Sequence, residues 1–176
     1  LREDHVESLV NVIEQGADFA YSLRDFYDSN HQFICRDDFE SLGNWKPKEN
    51  MPVRFIMEDG QQIGCFINTK TKNHIDTNCY AIPREIAQKT AYAWYTPFLG
   101  DQKFFSALNQ SELKGQTSGK YTVKYTVDFD KMIGVHNLFP QLTLSDEMIN
   151  LISSNILKGL SQQNIEYYGG RPWAKE

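Results

Sequence analysis

The side chains with the widest chemical repertoire in this chain are three cysteines (Cys35, Cys65, Cys79) and four histidines (His5, His31, His74, His136). No two cysteines stand in a C-x-x-C spacing, which removes the zinc-ribbon and thioredoxin readings. The histidines lie far apart in unrelated segments, so each reads as a surface residue and no metal site is expected. Asp37 and Asp38 follow Cys35 closely and would raise a thiol pKa there, which makes Cys35 a poor nucleophile. The motifs G-x-G-x-x-G, P-loop, G-x-S-x-G and H-E-x-x-H are all missing from the sequence. The chemistry-bearing residues therefore predict binding and not catalysis: no enzyme, no cofactor.

What is left for the cysteines is structural chemistry. Any pairing leaves one thiol over, and three buried reduced cysteines are the alternative to any bond. Cys35–Cys65 is the favoured pair, because it would pin the end of a first helix to a first pair of strands. A loop of that length would stabilise by roughly 3–4 kcal/mol on the chain-entropy model, and it would require an oxidising compartment. Cys79 stays open, free or paired.

Aromatic side chains offer a second possibility. Tyr92, Trp94, Tyr95, Phe98, Phe104 and Phe105 crowd one segment beside Arg84 and Lys89. Such rings could wall a small-ligand pocket, or they could be core packed under a neighbouring strand, which is the plainer reading. Trp45 and Trp173 sit in loops.

These residues must be positioned by recognisable elements. Val6, Leu9, Val10, Ile13, Ala17, Ala20, Leu23 and Tyr27 fall at helical spacing, which predicts one amphipathic helix from Arg2 to about Ser29. A loop follows, and then a β-hairpin: Val53–Met57 and Ile63–Ile67 flank the turn dipeptide Asp59-Gly60. A short strand is expected at Cys79–Ile82, a helix over Arg84–Trp94 opened by Pro83, and a short element at Phe104–Leu108. Strict alternation over Gly119–Asp130 predicts a strand with Tyr121, Val123, Tyr125, Val127 and Phe129 on its buried face. Ser145 is a good N-cap for a helix running to about Gln163, with a short strand at Ile165–Tyr168. The order predicts an α+β domain in which a long N-terminal amphipathic helix and two further helices pack on a mainly antiparallel sheet.

The 176 residues suit a single domain, 1–176, and 40% hydrophobic with 23% charged residues is a globular composition. A net charge of −5 argues against a nucleic-acid partner, which needs a basic footprint. No run of 18 apolar residues and no signal-peptide pattern is present. The helical pattern starts at once from Leu1-Arg2-Glu3-Asp4, as it would downstream of a membrane segment or at a cytosolic N-terminus.

The stretch from Cys35 through Val53-Arg54-Phe55-Ile56 to Cys65 resembles the extracytoplasmic CSS-motif sensor domains that precede cyclic-di-GMP phosphodiesterase modules. It departs from them at Phe66-Ile67, where that family has paired serines. Met57-Glu58-Asp59-Gly60, Ala93-Trp94-Tyr95 and Tyr125-Thr126-Val127-Asp128 are similar to landmarks of the Cache (PAS-like) sensor domains, although the arginine usual before the W-Y pair is missing. These resemblances imply a ligand- or redox-sensing input domain of a bacterial transmembrane signalling protein, periplasmic or extracellular and attached to the inner membrane. They imply a small-molecule ligand held by Tyr92, Trp94, Tyr95, Arg84 and Asp128, a signal passed through the N-terminal helix, and pairing of two copies along that helix. Cys35–Cys65 would then be a clamp or the switch itself. The alternative is the globular part of a type IV pilin or minor pilin. The helix Leu1–Asn30 and Asp38-Phe39-x-x-Leu42-Gly43-x-Trp45-x-Pro47 look like a pilin stalk and the segment after it, though pilin disulfides usually lie nearer the C-terminus.

Overall fold

The first 27 residues depart most from expectation. The computed structural model describes residues 1–48, 51–56, 60, 62–69, 74–95, 99–128, 133–140 and 143–175, with backbone only at 53, 55, 56, 63, 65 and 66. It opens with a ten-residue helix α1, His5–Glu14, followed by a strand β1, Phe19–Tyr27. The single helix expected over 2–29 is broken at Gly16, whose φ of +98° lies in the left-handed region. Beyond it every residue of β1 except Tyr27 is buried. A strand covered on both faces carries no period-two signal, so its apolar residues continued the helical count by coincidence. The stalk helix required by the pilin-like alternative is therefore not formed.

β1 is the centre of a four-stranded mixed sheet. Along one edge β6, Gly115–Thr126, runs parallel to it from Phe19 opposite Gly115 to Tyr27 opposite Thr126. The other edge is shared by two short antiparallel strands. β5, Tyr80–Ala81, pairs at Ala20-Tyr21, and β2, Phe33–Arg36, pairs at Asp25–Tyr27. The sheet is thus not mainly antiparallel, because its longest pairing is parallel and is closed by a long crossover.

The hairpin forms as expected, from β3 (Met51–Ile56) and β4 (Gln62–Ile67), with Val53 opposite Cys65 and Gly60 at φ +82°. Met57, Glu58 and Asp59 of its turn lie outside the described residues, as do Phe98, Phe129 and Asp130. The pair makes a sheet of its own, separate from β2. Cys35, on β2, is a free thiol, so the Cys35–Cys65 bond is not made. Its Sγ lies instead 4.0 Å from Ser161 Oγ. Cys79 is also free, and buried.

The remaining helices cover the sheet. α2 (Arg84–Thr90) continues into a 3-10 turn at Ala91–Trp94, and α3 is Gly100–Gln110. A single turn, α4 (Val135–Leu138), precedes α5, Asp146–Tyr168, which Ser145 caps by accepting from Met148 N–H at 3.3 Å. α5 runs straight through Ile165–Tyr168, where a strand was expected, and stops at Gly169 with φ +69°. Ile152, Ile156, Leu157 and Leu160 of α5 pack on Phe26, Phe39 and Val127. Phe104, Phe105 and Leu108 of α3 pack on Phe19, Tyr21 and Val123. Leu9 and Val12 of α1 cover Ala20. The architecture is α+β, and no helix of the described residues is long and apolar enough to cross a membrane.

Candidate anion-binding cleft

The alternation of β6 breaks at Tyr121. Its pairing with β1 steps from Tyr21–Thr117 to Leu23–Tyr121 and then to Arg24–Val123, leaving extra residues at 118–120 and at Thr122. Such bulges re-aim side chains. Tyr121 packs with Leu23, Leu42 and Trp173, whereas Val123, two residues on, packs with Phe19 and Phe104. Both terminal segments of the chain attach to the irregular stretch. Arg2 N–H donates to the Thr122 carbonyl at 2.8 Å, and Lys175 N–H donates to the Gly119 carbonyl at 2.9 Å. Gly119 has φ +75°, and a Cβ there would meet Lys175 N at 2.5 Å. Only glycine permits that approach.

Between these segments opens a cleft of about 650 Å³ with Tyr121 on its wall. Five cations line it, Arg2, Arg36, Lys120, Arg171 and Lys175, against one acid, Asp4. Behind it Asp38, 1% exposed, holds the floor together. It accepts from the Tyr121 hydroxyl, from Trp173 Nε1 at 2.9 Å and from Arg171 Nε at 3.1 Å on both oxygens. Asn164 Nδ2 donates to the Asp38 carbonyl at 2.8 Å, which ties α5 to the same point. Arg2 pairs with Asp25 at 2.8 Å and Lys120 with Asp4 at 2.9 Å. Arg36 stacks its guanidinium 4.7 Å from the Tyr121 ring centroid. Among the described residues neither Arg36 nor Lys175 has a carboxylate within 4.0 Å.

The protonation states follow from burial and neighbours. Burial, reinforced by Asp38, pushes the Tyr121 phenol up, so it stays a donor. Burial opposes the Arg171 charge, but Asp38 and Tyr121 together outweigh it and raise its pKa. Burial also raises the Asp25 carboxyl against the pull of Arg2, and its Oδ1 has no hydrogen-bond partner.

Arg36 and Arg171 also line a second cleft of about 380 Å³, together with Phe33, Ile34, Cys35 and Ile165 and the polar side chains of Asp38, Lys158, Ser161 and Gln162. The Cys35 thiol there is pushed up to about 12, mainly by burial with Asp37 and Asp38 adding, although a Ser161 hydrogen bond opposes the shift. Cys79 also rises to about 12 through burial. Neither is a thiolate near neutral pH.

A separate charged knot is structural. Arg24, 2% exposed, donates Nε to Asp37 and Nη1 to Asp76, each at 2.7 Å, and Nη2 to Glu40. Burial works against its charge, but these carboxylates raise its pKa above the ordinary arginine value. Three acids converge, yet on a guanidinium. Among the described residues no three His, Cys, Asp or Glu side chains are grouped to hold a metal ion.

The residues expected to hold a ligand do not converge. Tyr92 and Tyr95 are 63% and 91% exposed, while Trp94 stacks on Phe104 with ring centroids 4.6 Å apart. Arg84 is exposed at the start of α2. Asp128 lies just past the end of β6, at the opposite end of β1 from β5 and the segment that follows it. None of the five lines either cleft. Phe104 and Phe105 are core. The cleft cations escaped the sequence reading because they are scattered from Arg2 to Lys175 and only the fold brings them together. The nearest sequence signals were Arg36 beside Cys35 and the Arg171-Pro172-Trp173 run.

Among known proteins the chain has a relative of high similarity. A Haemophilus influenzae protein, described as an uncharacterized protein, is 59% identical over 132 residues, covering 75% of this chain and 89% of that protein. No family model matches the chain, and no solved structure does. The chain belongs to the same family as that Haemophilus influenzae protein.

Proposed function

We propose that this domain is a ligand-binding module that captures a small anion in the cleft around Tyr121. It is the binding half of the sensing role expected from the sequence. One observation carries the reading. In a chain of net charge −5, five cations face one cleft, and two of them, Arg36 and Lys175, have no carboxylate within 4.0 Å among the described residues. Unpaired cations on a concave, partly dehydrated wall attract an anion far more strongly than the same charges dispersed on a surface. Arg36 is stacked and its planar fork is free to meet a carboxylate or phosphate in bidentate fashion.

Binding would also be felt elsewhere. Arg2 and Asp4 stand immediately before α1, and Arg2 is shared with Asp25. An anion drawing Arg2 into the cleft competes with Asp25, and that shift reaches α1. This is the form in which the domain would report occupancy to the rest of a signalling protein.

Calorimetric titration with inorganic phosphate at low ionic strength tests the reading. Saturable binding is expected, weakened about tenfold or more in Arg36→Ala and weakened again by added salt. No binding, or binding indifferent to Arg36→Ala and Lys175→Ala, would overturn it.

A further inference from the structure

The two clefts are not independent, because Arg36 and Arg171 line both. On one side the lining is cationic; on the other Phe33, Ile34, Cys35 and Ile165 stand together with Asp38, Lys158, Ser161 and Gln162. We infer that the ligand is a small organic acid of mixed character, with an anionic head on the Arg36–Arg171 ridge and an apolar portion in the Phe33–Ile165 lobe. This rests on the anion-binding reading and adds the chemical class of the ligand.

Several observations point the same way. Phe33 is an aromatic side chain left 56% exposed beside a concavity, its ring held edge-on to Tyr27 at 5.7 Å. The Cys35 thiol in the lobe is protonated and so acts as a small apolar surface. Ser161, which also lines it, is already committed, donating to the Arg36 carbonyl at 2.9 Å. A purely inorganic anion would leave this wall wet. An apolar substituent reaching across the ridge would cover it while its head stayed on the guanidinium groups, the arrangement typical of small-molecule sites. The lobe's volume of about 380 Å³ accommodates a short alkyl or aryl group.

Titrating the whole chain with inorganic, ethyl, butyl and hexyl phosphate tests this. The dissociation constant is expected to fall with chain length, by about twofold to fourfold per buried methylene until the lobe is filled. Phe33→Ser, at an exposed position, should flatten that dependence. Equal affinity across the wild-type series would overturn the apolar lobe and leave anion capture standing. Failure of every phosphate to bind would overturn both. Binding to phosphatidate vesicles without binding to soluble hexyl phosphate would also overturn the inference, in favour of a membrane surface.

Discussion

Arg24 and Arg36 stand on adjoining strands and illustrate two fates of a guanidinium. Arg24 is enclosed by Asp37, Glu40 and Asp76, and its ionisation serves the fold. Replacing it with methionine would strand buried carboxylates, at a cost of about 3–5 kcal/mol in urea denaturation. Burial already pushes the Asp37 carboxyl upward, with Arg24 holding it down. In Arg24→Met its folded pKa would stand further above the unfolded one. The stability deficit should therefore be small below about pH 4 and should widen as pH rises through the folded value. A deficit that is flat with pH would contradict this. Arg36, by contrast, stacks on Tyr121 and has no carboxylate within 4.0 Å among the described residues. Asp25 lies between these cases, because it holds Arg2 with one oxygen and leaves the other without a partner. Asp25→Asn should release Arg2 and tighten phosphate binding about threefold to tenfold, since it removes a carboxylate close behind the cleft. Weaker binding would show that Asp25 positions Arg2 more than it competes for it. None of this was legible in the sequence, where Arg24 sits inside an apparent helix and Arg36 beside a suspected disulfide.

At the scale of elements, the segments read correctly were those with one dry face and clear punctuation. The hairpin had Asp59-Gly60 between its strands, and α5 had Ser145 ahead of its apolar stripe. The alternation of β6 gave that strand away, although its bulges around Tyr121 left no mark in the pattern. β1 was missed because both its faces are buried, and the Ile165–Tyr168 strand was a misreading of the last turn of α5. The bulged part of β6 is where structure and site meet. Gly119→Ala would add strain of about 1–2 kcal/mol at a positive φ and drive Lys175 away from β6. Phosphate affinity should fall about tenfold in calorimetry while the far-UV spectrum stays native; unchanged affinity would separate the C-terminal segment from the site. α1 docks on the same stretch through His5, whose Nδ1 lies 2.7 Å from Thr122 Oγ1. Burial lowers the His5 pKa below its ordinary 6.5. The neutral form is therefore favoured by folding, and its contribution is whole above that pH and lost as pH falls through the lowered value. Hydrogen exchange should show α1 amides losing protection on acidification before those of β1; simultaneous loss would contradict a local role for His5.

For the molecule as a whole, the overall acidity concealed its basic cleft. Net charge argued against a general grip on nucleic acid but could not show that Arg2, Arg36, Lys120, Arg171 and Lys175 gather around one tyrosine. The expected oxidising compartment rested on a Cys35–Cys65 bond and loses that support with Cys35 free. The proposed binding site lies at a different place, away from Tyr92, Trp94 and Tyr95. The most direct test is a ¹H–¹⁵N spectrum of the whole chain titrated with inorganic phosphate at low ionic strength. The account predicts saturable shifts concentrated at Arg36, Gly119–Thr122, Arg171 and Lys175. Absence of shifts there, or shifts centred on Tyr92–Tyr95, would contradict it.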